Sequence, residues 1–221
     1  MIKEPANRLP RGRSALSPDE VRRIHRQRLS RAIAEAMAEK GYAATSVEDV
    51  LKRAGVSRRA FYEQFSSKLD CFLAAFDCAR DILLGRMLAS VGVESAGELA
   101  EGDDPLARFE TAMSAYLAAI AEELPFARLF LVESFAAGPE AVRRRMAVQD
   151  TIVGAMAVLL RVAGPAGRFT CATVVAAASS MVTALVAEGD PDGILALGSS
   201  LTGHVRRLWE MGAFAELSEP A

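Results

Sequence analysis

Three features of the sequence predict an all-α fold of about nine helices. Leu, Ala, Met, Glu and Arg dominate a chain that is 51% apolar, and alternating runs of Val, Ile, Thr and Tyr are missing. Apolar residues recur at helical spacing along most of its length. Capping residues and prolines stand where successive helices would begin. At 221 residues the chain has ample length to bury a core, as one large domain or two small ones.

Residues 1–16, with Arg8, Arg11 and Arg13 among Pro and Gly, read as a disordered basic arm. Ser17-Pro18-Asp19-Glu20 opens the first helix with a capping residue, Pro at the first helical position and Glu three residues after the cap. Val21, Ile24, Ala32, Ile33, Ala36 and Met37 continue it at helical spacing, and Gly41 stops it. Thr45-Ser46-Val47-Glu48 reads as a second capping box, for a helix that ends at Ala54-Gly55. Ser57 caps a third helix running through Phe65. Ser66 or Ser67 caps a fourth, from Lys68 to about Ala89. Gly, Glu and Asp between Val91 and Asp104 mark a loop. Prolines at 105, 125, 139, 165 and 191 each sit where a new helix would start, giving roughly five more. The last two would cover about 167–187 and 191–209, and there is no internal repeat.

Charge is distributed unevenly. Residues 1–70 hold 15 Lys/Arg against 9 Asp/Glu, and the totals of 26 and 28 leave 11 basic and 19 acidic residues for 71–221. The basic first third suits a polyanion, although chance clustering on solvated faces gives the same count.

Several functional classes lose support. Cys71, Cys78 and Cys171 form no CxxC pair, and His25 and His204 lie far from them, so neither a disulfide framework nor a zinc site is expected. Cys71 and Cys78 would share a helix face, as small apolar fillers or as a redox switch. The N-terminus is polar and basic, without the apolar core of a signal peptide. Phe169 to Ala187 carries no charge and is long enough for a membrane span. Its Ala, Ser and Thr content and the lack of an aromatic belt fit a helix buried in protein instead. No phosphate-binding Gly loop, nucleophile elbow or HExxH occurs, so catalytic residues, metal and cofactor are all expected to be none. The expected location is cytoplasmic.

The most informative stretch is TSVEDVLKRAGVSRRAFYEQFSSK, residues 45–68. Val47, Val50, Leu51 and Ala54 form the apolar face of one short helix, Gly55 supplies a tight left-handed turn, and Val56 fills the corner. Ala60, Phe61 and Phe65 form the inner face of the next helix, whose outer face offers Arg58, Arg59, Tyr62, Glu63 and Gln64. This spacing predicts a helix-turn-helix whose second helix enters the DNA major groove. Arg58 and Arg59 can donate to guanine, Gln64 to adenine, and Ala60 can touch a thymine methyl. Thr45, Ser46, Tyr62 and Lys68 are types that hold phosphates. Glu63 would repel phosphate unless it accepts from cytosine or pairs with Arg59. A plain amphipathic helical hairpin is the competing reading.

The same stretch closely resembles the TetR family of transcription repressors. Its pattern is matched by Thr45, Ala54-Gly55-Val56-Ser57, Phe61-Tyr62, Phe65 and Lys68, over about residues 19–85. Leu51, Arg59 and Ala60 depart from the residues frequent at those positions and would alter which operator is read. The resemblance implies a DNA-binding domain over 17–67 and a ligand-binding and dimerisation domain over 68–221. It implies a homodimer on a palindromic double-stranded operator, released by a small apolar or amphipathic inducer. By the same resemblance Tyr62 and Lys68 grip phosphates while Arg58, Arg59 and Ala60 read bases.

Beyond residue 85 the resemblance is architectural. Candidates for a ligand pocket are Met87, Phe109, Met113, Tyr116, Phe126, Phe130, Met146 and Met156, although Met and aromatic residues at helical spacing also describe ordinary core. Arg128, Glu133 and Gln149 could orient a polar group or lie at the surface. Val174, Ala178, Met181, Val182 and Leu185, with Leu208 and Trp209, form the candidate dimer interface. A ligand-independent DNA-binding protein or an activator of the same fold would share these features. An enzyme is the remote alternative.

Overall fold

The computed structural model describes residues 17–92 and 104–215. The basic arm expected over 1–16 lies outside them, as does most of the loop expected between Val91 and Asp104. The described residues form helices joined by turns, with no strand among them: α1 (Pro18–Ala44), α2 (Val47–Ala54), α3 (Arg58–Tyr62), α4 (Lys68–Ser90) and α5 (Pro105–Glu122) come first. An interrupted helix follows, made of α6 (Leu124–Arg128), a π turn (Leu129–Glu133) and α7 (Ser134–Ala137). Then come α8 (Pro139–Leu159), α9 (Pro165–Glu188) and α10 (Pro191–Glu210). With the interrupted stretch taken as one, the all-α expectation of about nine helices holds among the described residues.

These residues form two compact units. The first runs to Ala79 and regains Pro125–Ala141; the second is Arg80–Leu124 with Val142 onward. The chain therefore passes from one unit to the other three times, and α4 runs unbroken through the first passage.

In the first unit the capping chemistry is largely as the sequence predicts. The Ser17 hydroxyl accepts from the Glu20 amide at 3.2 Å and the Glu20 carboxylate accepts from the Ser17 amide at 2.7 Å. The α1 backbone breaks at Gly41, whose φ of 78° and ψ of 167° belong to a region that essentially only glycine occupies. One further turn brings the chain to Thr45. The core collects Leu29, Ile33 and Met37 of α1 against Phe61, Phe65, Phe72 and Phe76, all fully or almost fully buried. Phe76 stacks on Phe130 with centroids 4.6 Å apart, and Tyr42 meets Phe72 edge-on at 5.5 Å. Burying each such ring stabilises the unit by about 1.5–3 kcal/mol, and favourable ring geometry adds to that.

Two local expectations change. The second capping box is shifted by one residue: Ser46 caps Asp49, while Thr45 turns inward. The third helix ends at Tyr62, short of Phe65, because the amides of Gln64 and Phe65 both turn back to the Phe61 carbonyl, at 2.9 Å each. That tight turn drives the Phe65 ring into the core. Ser67 caps α4, accepting from the Asp70 amide at 3.1 Å.

The second unit packs α5 against α10 and α9 against α10. Leu106, Phe109, Met156, Leu160, Cys171, Val174, Val205 and Phe214 lie together in its core. Gly167 is required here, since a Cβ would stand 2.4 Å from the Phe214 carbonyl oxygen. Helix α9 is the one described helix long and apolar enough to cross a membrane, by length and composition alone. Buried Cys71 and Cys171 have their thiol pKa values pushed up to about 12 and about 11, chiefly by desolvation, which disfavours reactive thiolates. Among the described residues no group of three or more His, Cys, Asp and Glu side chains could hold a metal ion.

Candidate nucleic-acid interface

Helix α2 is built to hold its position on α1. At its start the Ser46 amide donates to Asp49 Oδ2 at 2.8 Å, and the Asp49 amide returns a bond to the Ser46 hydroxyl at 3.2 Å. Lys40 of α1 stands 2.7 Å from Asp49 Oδ1. The hydrogen bonds from Lys40 and Ser46 hold the Asp49 carboxyl far below the usual carboxylate range. Further along, Arg53 reaches back to Glu39 and Glu35 of α1. Gly55 then turns the chain in the left-handed conformation, and buried Val56 seals the corner.

Helix α3 follows after three residues, Gly55, Val56 and Ser57. The Ser57 hydroxyl accepts from the Ala60 amide at 3.2 Å, and Phe61 anchors the inner face, so Arg58, Arg59 and Tyr62 point outward. Arg58, Arg59 and Tyr62 are all exposed, Arg59 by 90% of its side-chain area. Tyr62 leans edge-on against Phe61 with centroids 5.2 Å apart, which limits its freedom while leaving its hydroxyl end outside. Glu63 resolves its awkward position by pairing: Arg59 Nε donates to its carboxylate at 2.9 Å. Arg58 stands 4.0 Å from Glu48 on α2. Ala60 and Gln64 are half-buried, and Gln64 lies in the turn beyond α3 instead of on it.

Thr45 and Lys68 are turned towards backbone carbonyls of the chain itself. Thr45 is only 2% exposed and its hydroxyl donates to the Gly41 carbonyl at 2.7 Å, so it is not presented to a phosphate. The reason is the break in α1, which leaves that carbonyl in need of a donor. The Lys68 ammonium donates to the carbonyls of Tyr42 and Thr45 at 2.8 and 2.9 Å, and lies 4.2 Å from the centre of the Tyr42 ring. Burial lowers the Lys68 pKa. The lysine thus closes the C-terminal end of α1, with one of its three N–H donors left for an outside group.

Glu133, which the sequence allows either to orient a polar group or to lie at the surface, is buried in the π turn. It is 5% exposed, and its Oε2 accepts from the Tyr42 amide at 2.7 Å. Arg128 Nε is 3.5 Å from the other oxygen. Nothing in the local sequence marks a glutamate for burial.

The rear-domain candidates are divided. Phe126 and Phe130 belong to the core of the first unit, with Arg31 over the Phe126 ring at 5.4 Å. Phe109, Met113, Tyr116 and Met156 belong to the second, Met87 is half-buried, and Met146 is exposed. Buried Tyr116 has its phenol pushed up to about 12 by desolvation; Arg145, the charge that partly offsets this, lies 3.3 Å from the Ser179 hydroxyl. Of the proposed interface residues, Val174, Ala178 and Val182 are buried within the protomer, Leu185, Leu208 and Trp209 are half-buried, and Met181 is 47% exposed. Met181 lines an open, mostly apolar groove of about 510 Å³ with Phe169, Thr173, Leu201 and Leu208.

Residues 29–75 match the sequence pattern of the family described as bacterial regulatory proteins, tetR family. The transcriptional regulator AcuR of Cereibacter sphaeroides is 38% identical over 98 residues, which are 44% of this chain and 41% of AcuR. The match therefore spans about two-fifths of that relative's length. A crystal structure of a transcriptional regulator from Rhodococcus sp. RHA1 is 25% identical with a TM-score of 0.59, covering 82% of this chain and 96% of that one. The TetR-family regulator PfmR of Thermus thermophilus shares the fold at 23% identity and a TM-score of 0.62, over 81% and 97% of the two chains. So does FadR of Bacillus subtilis, in complex with stearoyl-CoA, at 18% identity and a TM-score of 0.63, over 80% and 95%.

Proposed function

Because residues 29–75 match the pattern of the tetR family of bacterial regulatory proteins, we propose that the chain is a ligand-responsive transcriptional repressor of that family. It binds a palindromic operator as a homodimer in the cytoplasm and leaves it when a small apolar or amphipathic molecule binds the rear domain. The relatives are transcriptional regulators, not enzymes.

One observation carries the DNA-binding part: Arg58, Arg59 and Tyr62 stand exposed together on a short helix whose opposite face is nailed to the core by Phe61. Such a helix suits the major groove, where arginine fits the acceptor edge of guanine. Arg58, Arg59, Ala60 and Gln64 read bases; Ser46, Tyr62 and the third donor of Lys68 hold phosphates. Selection of duplexes from a random pool, followed by titration with wild type and Arg58→Ala, tests this. Enrichment of a two-fold symmetric sequence that the variant binds poorly is expected, and retention of random duplexes at equal strength overturns it.

The dimer is supported by the apolar groove on α9 and α10, with Phe169 75% exposed at its edge. A second copy covering that face would present two recognition helices about 34–36 Å apart.

For release, α4 is the natural relay, since it runs without a break from Lys68 to Ser90. The ligand must favour the released conformation by about 5 kcal/mol to convert mostly bound into mostly free protein. Cross-linking α4 to α1 should leave DNA binding intact and abolish induction. Because a relative holds stearoyl-CoA, acyl thioesters join lipophilic cations and aromatic metabolites in a thermal-shift screen for the inducer.

A further inference from the structure

We infer that Glu133 is a positioning residue for DNA recognition, resting on the DNA-binding reading above: its buried carboxylate clamps the Tyr42 amide and so fixes the pose of the helix-turn-helix.

The geometry runs through a short chain of bonds. Glu133 Oε2 accepts from the Tyr42 amide at 2.7 Å, across 91 residues of sequence. The Tyr42 carbonyl accepts from Lys68, which also holds the Thr45 carbonyl, and the Thr45 hydroxyl holds Gly41. Thr45 is the C-cap of α1 and directly precedes Ser46, the cap from which α2 departs. The clamp therefore acts on the segment that sets the direction of both DNA-facing helices.

The placement has features of a device, beyond those of a simple cap. A carboxylate at this depth is costly unless bonded, so its partners define one position for it. Gly41 has no side chain, and even a Cβ there would lie 3.5 Å from Oε2, leaving the approach open. Glu133 closes a π turn, and π turns interrupt helices where function requires an unusual side-chain direction. The adjoining Ser134 hydroxyl is buried with no hydrogen-bond partner, so the turn is not fully satisfied where it stands. Finally, the segment Pro125–Ala141 is joined at both ends to chain of the second unit. A rearrangement there can pull on Glu133 through covalent connections alone.

The test uses full-length protein and a duplex selected from a random pool by the wild type. Glu133→Ala should bind that duplex about tenfold to a hundredfold more weakly, the size expected for losing a charge-assisted hydrogen bond. The dependence of affinity on salt should not change, because the phosphate contacts remain. Hydrogen exchange should accelerate at the Tyr42 amide and through α2 and α3. Glu133→Gln keeps an acceptor and should recover most of the affinity and protection. Leu131→Ala, a cavity in the same turn, serves as a control for lost stability. Affinity of Glu133→Ala within twofold of wild type, or a loss matched by Leu131→Ala with Tyr42 still protected, overturns the inference alone. Should the alanine variant fail to fold, the glutamine variant decides: wild-type affinity with an unprotected Tyr42 amide overturns it, and affinity that tracks protection supports it. A wild type that selects no duplex overturns the DNA-binding reading and this inference together.

Discussion

Arg59 and Glu63 are joined by a 2.9 Å hydrogen bond on the exposed side of α3 and the turn that follows it. The pair neutralises one of the cations that would meet DNA and fixes its direction. Glu63→Gln should release Arg59 to its base and tighten binding to the selected operator several-fold, with a smaller gain on random duplexes. Fluorescence anisotropy with both duplexes checks this; an equal gain on both would mean that Arg59 meets the backbone and reads no base.

Arg58 should behave differently. If it reads a guanine, Arg58→Ala costs about 1–3 kcal/mol against the selected operator and little against random DNA. Tyr62→Phe should instead weaken both by a similar factor, as expected for a phosphate contact. Competition titrations separate the two patterns.

Asp49 links stability to pH. Its folded pKa is depressed by Lys40 and Ser46, so its contribution is present above the unfolded value near 4 and is lost as pH falls further. Wild type should therefore be more stable than Asp49→Asn at neutral pH, with the gap narrowing below about pH 4. Urea titrations at pH 7 and pH 3.5 give the comparison, and a gap that widens in acid would refute the assignment.

Gly41 adopts a backbone conformation that other residues resist, yet has room for a methyl group. Gly41→Ala should cost about 1–3 kcal/mol from backbone strain alone. Thermal melts should fall accordingly; an unaffected melting temperature would show that the break at this residue can close.

Phe169→Glu places a charge at the edge of the apolar groove on α9 and α10. The expected result in analytical ultracentrifugation is a folded monomer that no longer binds the operator, because one recognition helix grips too few phosphates. A dimer that survives this change would place the interface elsewhere.

Much of this was legible from residues alone. Ser17, Ser57 and the prolines at 105, 139, 165 and 191 mark true helix starts, because caps and fixed φ angles act locally. Thr45 and Ser46 are both able caps with an acidic residue three positions on, so only the packing of the Thr45 hydroxyl against Gly41 decides between them. The candidate dimer stripe was harder. Helix α9 is apolar on several sides, and periodicity cannot say which side meets its own protomer; Val182 does, fully buried, while Met181 next to it does not. The Glu133 clamp and the π turn have no local signature, since both arise from contacts between distant segments.

The division of labour within α3 has an evolutionary consequence. Phe61 and its neighbour in the core, Phe65, secure the helix from within, whereas Arg58, Arg59 and Tyr62 contribute little to that anchoring. On the proposed DNA-binding reading, mutational drift at the outer positions would retune the preferred promoter while leaving the folded scaffold untouched, so duplicated copies of such a gene would be free to acquire separate regulons.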